Sequence, residues 1–232
     1  MTQLKTMLKW DVILQFRYKI IHLSILSVII YYMSLIAIPS MNTTEFKTLY
    51  LFMDPTLIGI MFVGALVLFE KTENTLQALT VTPMETRTYF LSKIISLTIL
   101  SIVSGFLFVF LSHGFHFQYF YMIAGIVLTS IFLILLGFLL VARCRGINEY
   151  LGMMMMAFLL LFVPPLLDIS GIYKNVIFYL WPSQASFLLF NGVFGTVSFS
   201  DTIYALVYLI IWIVGCYVLA KKAFYKYIVV GG

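Results

Sequence analysis

The chain alternates between long apolar runs and short polar breaks, and the runs have membrane length. Six stand out: Ile20–Pro39, Tyr50–Phe69, Ile94–Ser112, Tyr119–Val141, Tyr150–Leu167 and Ile203–Ala220. Each is close to the ~20 residues a helix needs to cross ~30 Å of hydrocarbon. Helices are the expected form, because a helix satisfies its own backbone donors and acceptors where no water can. The pattern therefore predicts an all-α, polytopic membrane protein of six transmembrane helices forming one domain over residues 1–232. Six helices take up about half of the chain and leave only loops between them, with no room for a soluble catalytic domain.

Composition narrows this further. Of 232 residues, 62% are hydrophobic and 10% are charged, and the mean hydropathy is +1.07. Such a chain cannot cover its own surface in water, which excludes a soluble enzyme, a disordered chain and a nucleic-acid-binding domain. The net charge of +5 is an address more than a binding signal. With the N-terminus inside, the inner segments hold Lys5, Lys9, Arg17 and Lys19, then Lys71, Arg87 and Lys93, then Arg143 and Arg145, then Lys221, Lys222 and Lys226. That is 12 of the 14 basic residues, with Lys47 and Lys174 outside. The positive-inside rule thus predicts both termini in the cytoplasm. Cys144 and Cys216 are too few for a disulfide framework and read as buried thiols.

Three segments do not fit a plain bundle. In residues 3–18, Leu4, Met7 and Leu8 share a helical face opposite Lys5, Thr6 and Lys9, with Trp10 suited to the headgroup boundary. Either an interfacial helix or a charged tail accounts for them, and the amphipathic pattern weakens after Asp11. Residues 70–93 form the longest inner loop. Thr82, Pro83 and Glu85 make a capping box that would start the third helix at Pro83. Just before it, Leu76 and Leu79 fall at i and i+3 beside Glu70, Lys71 and Glu73, which is the chemistry of a docking helix for a soluble partner. Residues 168–202 are apolar but broken by Pro182. They read as two short re-entrant outer helices or as an external cap.

Candidate chemistry is sparse. Asp54 precedes Pro55 at the start of the second run. As an intramembrane acid it is a functional candidate, but Asp before Pro is also a good N-cap, and the cap is the favoured reading, with the regular helix beginning at Pro55. His113 and His116 lack a nearby carboxylate or thiolate and read as loop residues, not metal ligands. Met153 to Met156 are consecutive and so point around a helix instead of toward one metal site. Ser101 and Gly105 are spaced for close helix packing. No nucleophile–base set is legible, so no catalytic residue and no enzyme activity are expected of this chain.

The run from Phe52 to Gly59, followed by Phe69-Glu70-Lys71-Thr72-Glu73-Asn74-Thr75-Leu76-Gln77-Ala78-Leu79-Thr80-Val81-Thr82-Pro83, resembles the membrane subunits of ABC-2 type transporters. Lys93 opening the third helix, Val163-Pro164-Pro165 and Leu180-Trp181-Pro182-Ser183 extend the resemblance over most of the chain. It implies a bacterial cell-membrane exporter permease in which residues 3–18 are the connecting helix, Asn74–Leu79 the coupling helix and residues 168–202 the re-entrant outer pair. Glu70, Lys71, Glu73, Leu76 and Leu79 are then the ATPase-coupling residues. The chain has no G-x-x-x-x-G-K-[ST] phosphate cradle, so ATP and Mg would belong to a separate ABC ATPase subunit, and the chain itself carries no cofactor. Six helices are half the usual set, which implies a second permease copy or a sister permease. The cargo would be amphipathic or hydrophobic: a drug, an antimicrobial peptide or a lipid-like molecule. The second and fifth helices are the expected lining of the path. The rival readings are a six-helix secondary transporter or channel and a membrane immunity or scaffold protein. The near absence of charge in the spans argues against ion coupling.

Overall fold

The computed structural model describes residues 2–73, 86–169 and 176–229, and all regular structure in them is helical. Helix α1 (Thr2–Arg17) is followed by α2 (Ile20–Ala37), a 3-10 turn (Pro39–Met41), α3 (Thr44–Thr56), a π-helical stretch (Leu57–Phe62) and α4 (Val63–Thr72). Then come α5 (Thr86–His113), α6 (Tyr119–Val141), α7 (Ile147–Ile169), a 3-10 turn (Val176–Leu180), α8 (Pro182–Phe194) and α9 (Phe199–Phe224), which ends in a π-helical stretch (Tyr225–Val229). Among the described residues, six helical segments are long and apolar enough to cross a membrane. They overlap the six apolar runs one for one.

Burial follows helical periodicity. On α2 the buried positions Ile20, Ser24, Val28, Tyr31 and Leu35 form one stripe, while Leu26, Ile29 and Ile30 face outward. That is how a helix packs when apolar surroundings cover its outer side. Helix α6 is buried on more faces, with Ile126, Thr129, Leu133, Ile134 and Phe138 each at 0% exposure. Two cores result. One, at the α1 end, gathers Leu66, Phe90, Leu133, Phe138, Tyr150 and Phe224. The other, at the far end, gathers Val28, Leu51, Phe52, Phe108, Phe187 and Phe190. Ser101 is buried as its spacing requires, and a Cβ on Gly105 would lie 2.6 Å from Ile126 Cδ1, so this face of α5 does pack closely on α6.

The second span corrects the reading of Asp54. The helix starts at Thr44 and runs through to Thr72, so Asp54 and Pro55 lie inside α3 and do not cap it. Pro55 has no N–H and crowds the carbonyl one turn back. Helices within apolar surroundings tolerate this by local adjustment, and the π stretch at Leu57–Phe62 directly after Pro55 is such an adjustment. Apolar Leu49 to Met53 let the helix extend ahead of the proline.

Helix α5 is described from Thr86, so the start expected at Pro83, the capping box and the docking segment with Leu76 and Leu79 lie outside the described residues. In the region 168–202 the break falls where Pro182 places it, at the first turn of α8. This helix is buried on most faces and packs against α3, α6 and α9.

Candidate coupling site

Helix α1 brings an acid to the bundle. Its inward positions are Leu4, Met7, Leu8, Asp11, Leu14, Gln15 and Tyr18, a continuous stripe at spacings of three and four. The stripe does not end at Asp11; it turns polar there. Trp10, Ile13 and Phe16 point outward, as on a helix that lies at a membrane interface. At the elbow Lys19 takes a left-handed backbone with φ 61°, and this sharp turn sends the chain from α1 into α2.

Asp11 meets two other charged groups in the interior. Lys93 Nζ, on α5, donates to Asp11 Oδ1 at 2.5 Å and to Glu70 Oε1, near the end of α4. Exposure is 0% for the Lys93 side chain, 1% for Asp11 and 5% for Glu70. Tyr89 Oη, one turn before Lys93, donates to Glu70 Oε2 at 2.6 Å, and the Lys93 ammonium lies 5.2 Å from the Tyr89 ring centroid. Gln15 Nε2 donates to Ser96 Oγ at 3.0 Å, which fastens α1 to α5 a second time. Two carboxylates thus share one ammonium among buried neighbours. The group depends above all on Lys93, because removing the ammonium leaves two uncompensated carboxylates out of water.

A second set closes the rim. Arg17 Nη2 lies 3.3 Å from Glu73 Oε1, and Tyr18 Oη donates to the same oxygen at 2.8 Å. Partial burial, then the hydrogen bond and charge of Glu73, push the Tyr18 phenol up to about 12, so it stays a donor at any physiological pH. Lys71 Nζ reaches the Cys144 carbonyl at 3.4 Å and ties the end of α4 to the turn before α7. Burial, with the Glu149 carboxylate adding to it, pushes the Cys144 thiol up.

Of the coupling residues expected from the sequence, Glu70, Lys71 and Glu73 therefore converge at one end of the bundle, whereas Leu76 and Leu79 lie outside the described residues. The Glu70 carboxylate is turned inward to Lys93 and Tyr89 and away from the surface. Asp11, Tyr89 and Lys93 are the members that the sequence reading missed. Asp11 sat on the apolar stripe of α1, and an acid on an apolar stripe calls for a buried base. Lys93 stands out in the sequence only as a topology charge and as the Lys opening the third helix.

A second buried acid stands apart. Asp54 accepts a hydrogen bond from Ser104 Oγ on α5, and Ser27 Oγ on α2 lies 3.3 Å from its Oδ1. No cation lies against it among the described residues.

The structure also contains an apolar cleft of about 350 Å³ between α6, α7 and α9, with Phe132, Leu136, Leu160, Trp181 and Trp212 among its walls. Trp181 Nε1 donates to the Leu160 carbonyl at 2.5 Å, holding one indole at the edge. The fifth span contributes Ala157, Leu160 and Leu161 to this cleft, while the second span is packed inside the bundle. His113 is exposed at the end of α5, its ring 5.4 Å from that of Phe194. Met155 and Met156 face outward, while Met153 and Met154 pack against the core.

Six membrane-length helices with a buried ionic clasp at one end and an apolar cleft along the side define a polytopic helical membrane protein. The model of the fluoroquinolones export permease protein family matches residues 2–231, and the chain belongs to that family. Two relatives are fluoroquinolones export permease proteins of Mycobacterium tuberculosis, from strains CDC 1551 / Oshkosh and ATCC 25618 / H37Rv. Each is 29% identical over 231 residues, covering 99% of this chain and 98% of the relative.

Proposed function

We propose that this chain is the membrane-spanning subunit of an ABC-2 type drug exporter, driven by ATP hydrolysis on a separate ATPase. Membership in an export-permease family supports the drug-export part. The observation that carries the energy-coupling part is the clasp of Asp11, Glu70 and Lys93. It joins α1 to the two helices on either side of residues 74–85, the stretch that includes the coupling helix expected at Asn74–Leu79. Force applied there by a closing ATPase would reach α4 and α5 together, because α1 is locked to α5 and, through Lys93, to α4. Two permeases, as a pair of copies or with a sister chain, and two ATPase subunits complete the assembly. Both termini face the cytoplasm of a bacterial cell.

In this reading Glu70 positions the helices from within, and Lys71, Glu73, Leu76 and Leu79 meet the ATPase. The relatives' names make a fluoroquinolone the first cargo to test. The cleft lined by Trp181 and Trp212 suits a planar, largely apolar molecule, its volume falling within the ~300–1,000 Å³ of ligand pockets.

The test is co-purification of an ABC ATPase with the chain, followed by fluoroquinolone uptake into inside-out vesicles with and without ATP. The expected result is a bound ATPase, ATP-dependent uptake, and loss of both when residues 74–79 are deleted. Uptake that persists without ATP and without any bound ATPase would overturn the proposal in favour of a secondary transporter.

A further inference from the structure

Asp54 lies inside the second span, ten residues from its Thr44 end and eighteen from Thr72. At 1.5 Å per residue the first separation is about 15 Å. Its two partners sit at the same depth: Ser27 is ten residues from the end of α2, and Ser104 nine from the end of α5. All three side chains meet inside the bundle, and Asp54 is 1% exposed.

The hydrogens at this site can be counted. Ser27 Oγ is 2.7 Å from the Ser24 carbonyl and 3.3 Å from Asp54 Oδ1. Ser104 Oγ contacts Asp54 Oδ2 and lies 3.2 Å from the Ser101 carbonyl. Each hydroxyl has one hydrogen to give. The shorter contact assigns the Ser27 hydrogen to Ser24, and the closer one assigns the Ser104 hydrogen to Asp54 Oδ2. The Asp54 Oδ1–Ser27 Oγ contact is then left with two acceptors and no hydrogen. One added proton on Asp54 Oδ1 completes the set, donating to Ser27 Oγ.

The surroundings agree with a neutral acid. Tyr50, one turn away on α3, stacks on the buried Tyr31 of α2 at 4.9 Å, so the aromatic neighbours are neutral phenols. Helix α8 carries no ionisable side chain. Those of α6 are Tyr119 and Tyr121 at its end. Lys93, on α5, is eleven residues from Ser104, about 16 Å along the helix, and is held by two carboxylates of its own. An ionised carboxylate here would have no counter-charge in a region where burying one is costly.

We propose that Asp54 is a proton-binding site inside the membrane domain, loaded in this conformation and released when α2, α3 and α5 part. On release the Oδ1–H bond breaks, its electron pair stays on the carboxylate, and the proton passes to water entering between the helices. The site lies one residue before Pro55 and three before the π-helical stretch of the second span.

Infrared spectroscopy of the purified full chain in lipid nanodiscs tests this. A protonated carboxyl carbonyl band at pH 7 that is absent in Asp54→Asn is the expected result. Ser104→Ala should move that band to higher frequency by removing the donor to Oδ2, which assigns it even if the Asn variant fails to fold. A wild-type spectrum at pH 7 with no protonated carboxyl band would overturn the proposal. So would a band left unchanged by both substitutions.

Discussion

The chain buries acid in two places and neutralises it by opposite means. At the α1 end, Asp11 and Glu70 face an ammonium, and three helices distant in sequence supply the charges. Inside the second span, Asp54 faces only the hydroxyls of Ser27 and Ser104 among the described hydrogen-bond partners. An ion-paired site is rigid and depends on its one ammonium. A hydroxyl-lined acid can be replaced by a neutral polar group at modest cost. The first arrangement suits a joint that transmits force; the second suits a contact that must open.

The largest test of this contrast is Lys93→Met. It strips the base from two buried carboxylates and should cost about 3–5 kcal/mol, the usual penalty for breaking a buried pair. It should appear as a marked fall in unfolding temperature and in monodisperse yield. Glu70→Gln should cost less, about 1.5–3 kcal/mol, because it weakens charged hydrogen bonds while Lys93 keeps Asp11. In the same thermal assay Asp54→Asn should cost only about 0.5–1.5 kcal/mol, since one neutral hydrogen-bonding group replaces another. If Asp54→Asn proved as damaging as Lys93→Met, the two sites would not differ in kind.

The smallest effect belongs to the rim. The Tyr18 phenol is raised to about 12 from 10.0, so the folded state holds its proton more tightly than the unfolded state. Its contribution is complete below pH 10 and is lost as pH rises from there toward 12. Arg17 and Glu73 are well exposed, and solvent screening keeps such contacts below ~1 kcal/mol. Tyr18→Phe should therefore leave stability at pH 7 nearly unchanged and remove a small alkaline loss between pH 10 and 12, read by thermal melts across that range.

The six spans were legible because length and apolarity alone decide them. The clasp was only half legible. Glu70, Lys71 and Glu73 stood out as scarce charges in one loop, and all three do gather at one end. Asp11 and Lys93 were hidden for a physical reason: a buried ion pair breaks the amphipathic pattern of both helices that donate to it. The stripe of α1 fades at Asp11 only when hydropathy is the measure; its geometry continues to Tyr18. Asp54 was misread because Asp-Pro is a helix-start signal in water. Within this span the same dipeptide stands just before a π-helical stretch, and only the apolar residues from Leu49 to Met53 hinted that the helix had begun earlier.

The clasp also orders the birth of the molecule. Asp11 and Glu70 leave the ribosome 82 and 23 residues before Lys93. Until the third span is delivered, neither acid has its base, so α1 must wait at the aqueous boundary and the end of α4 must stay hydrated. Arrival of Lys93 lets both be drawn in at once. Three helices then settle as a unit, and a chain whose third span failed to insert would leave two acids stranded in water, open to the cell's quality control.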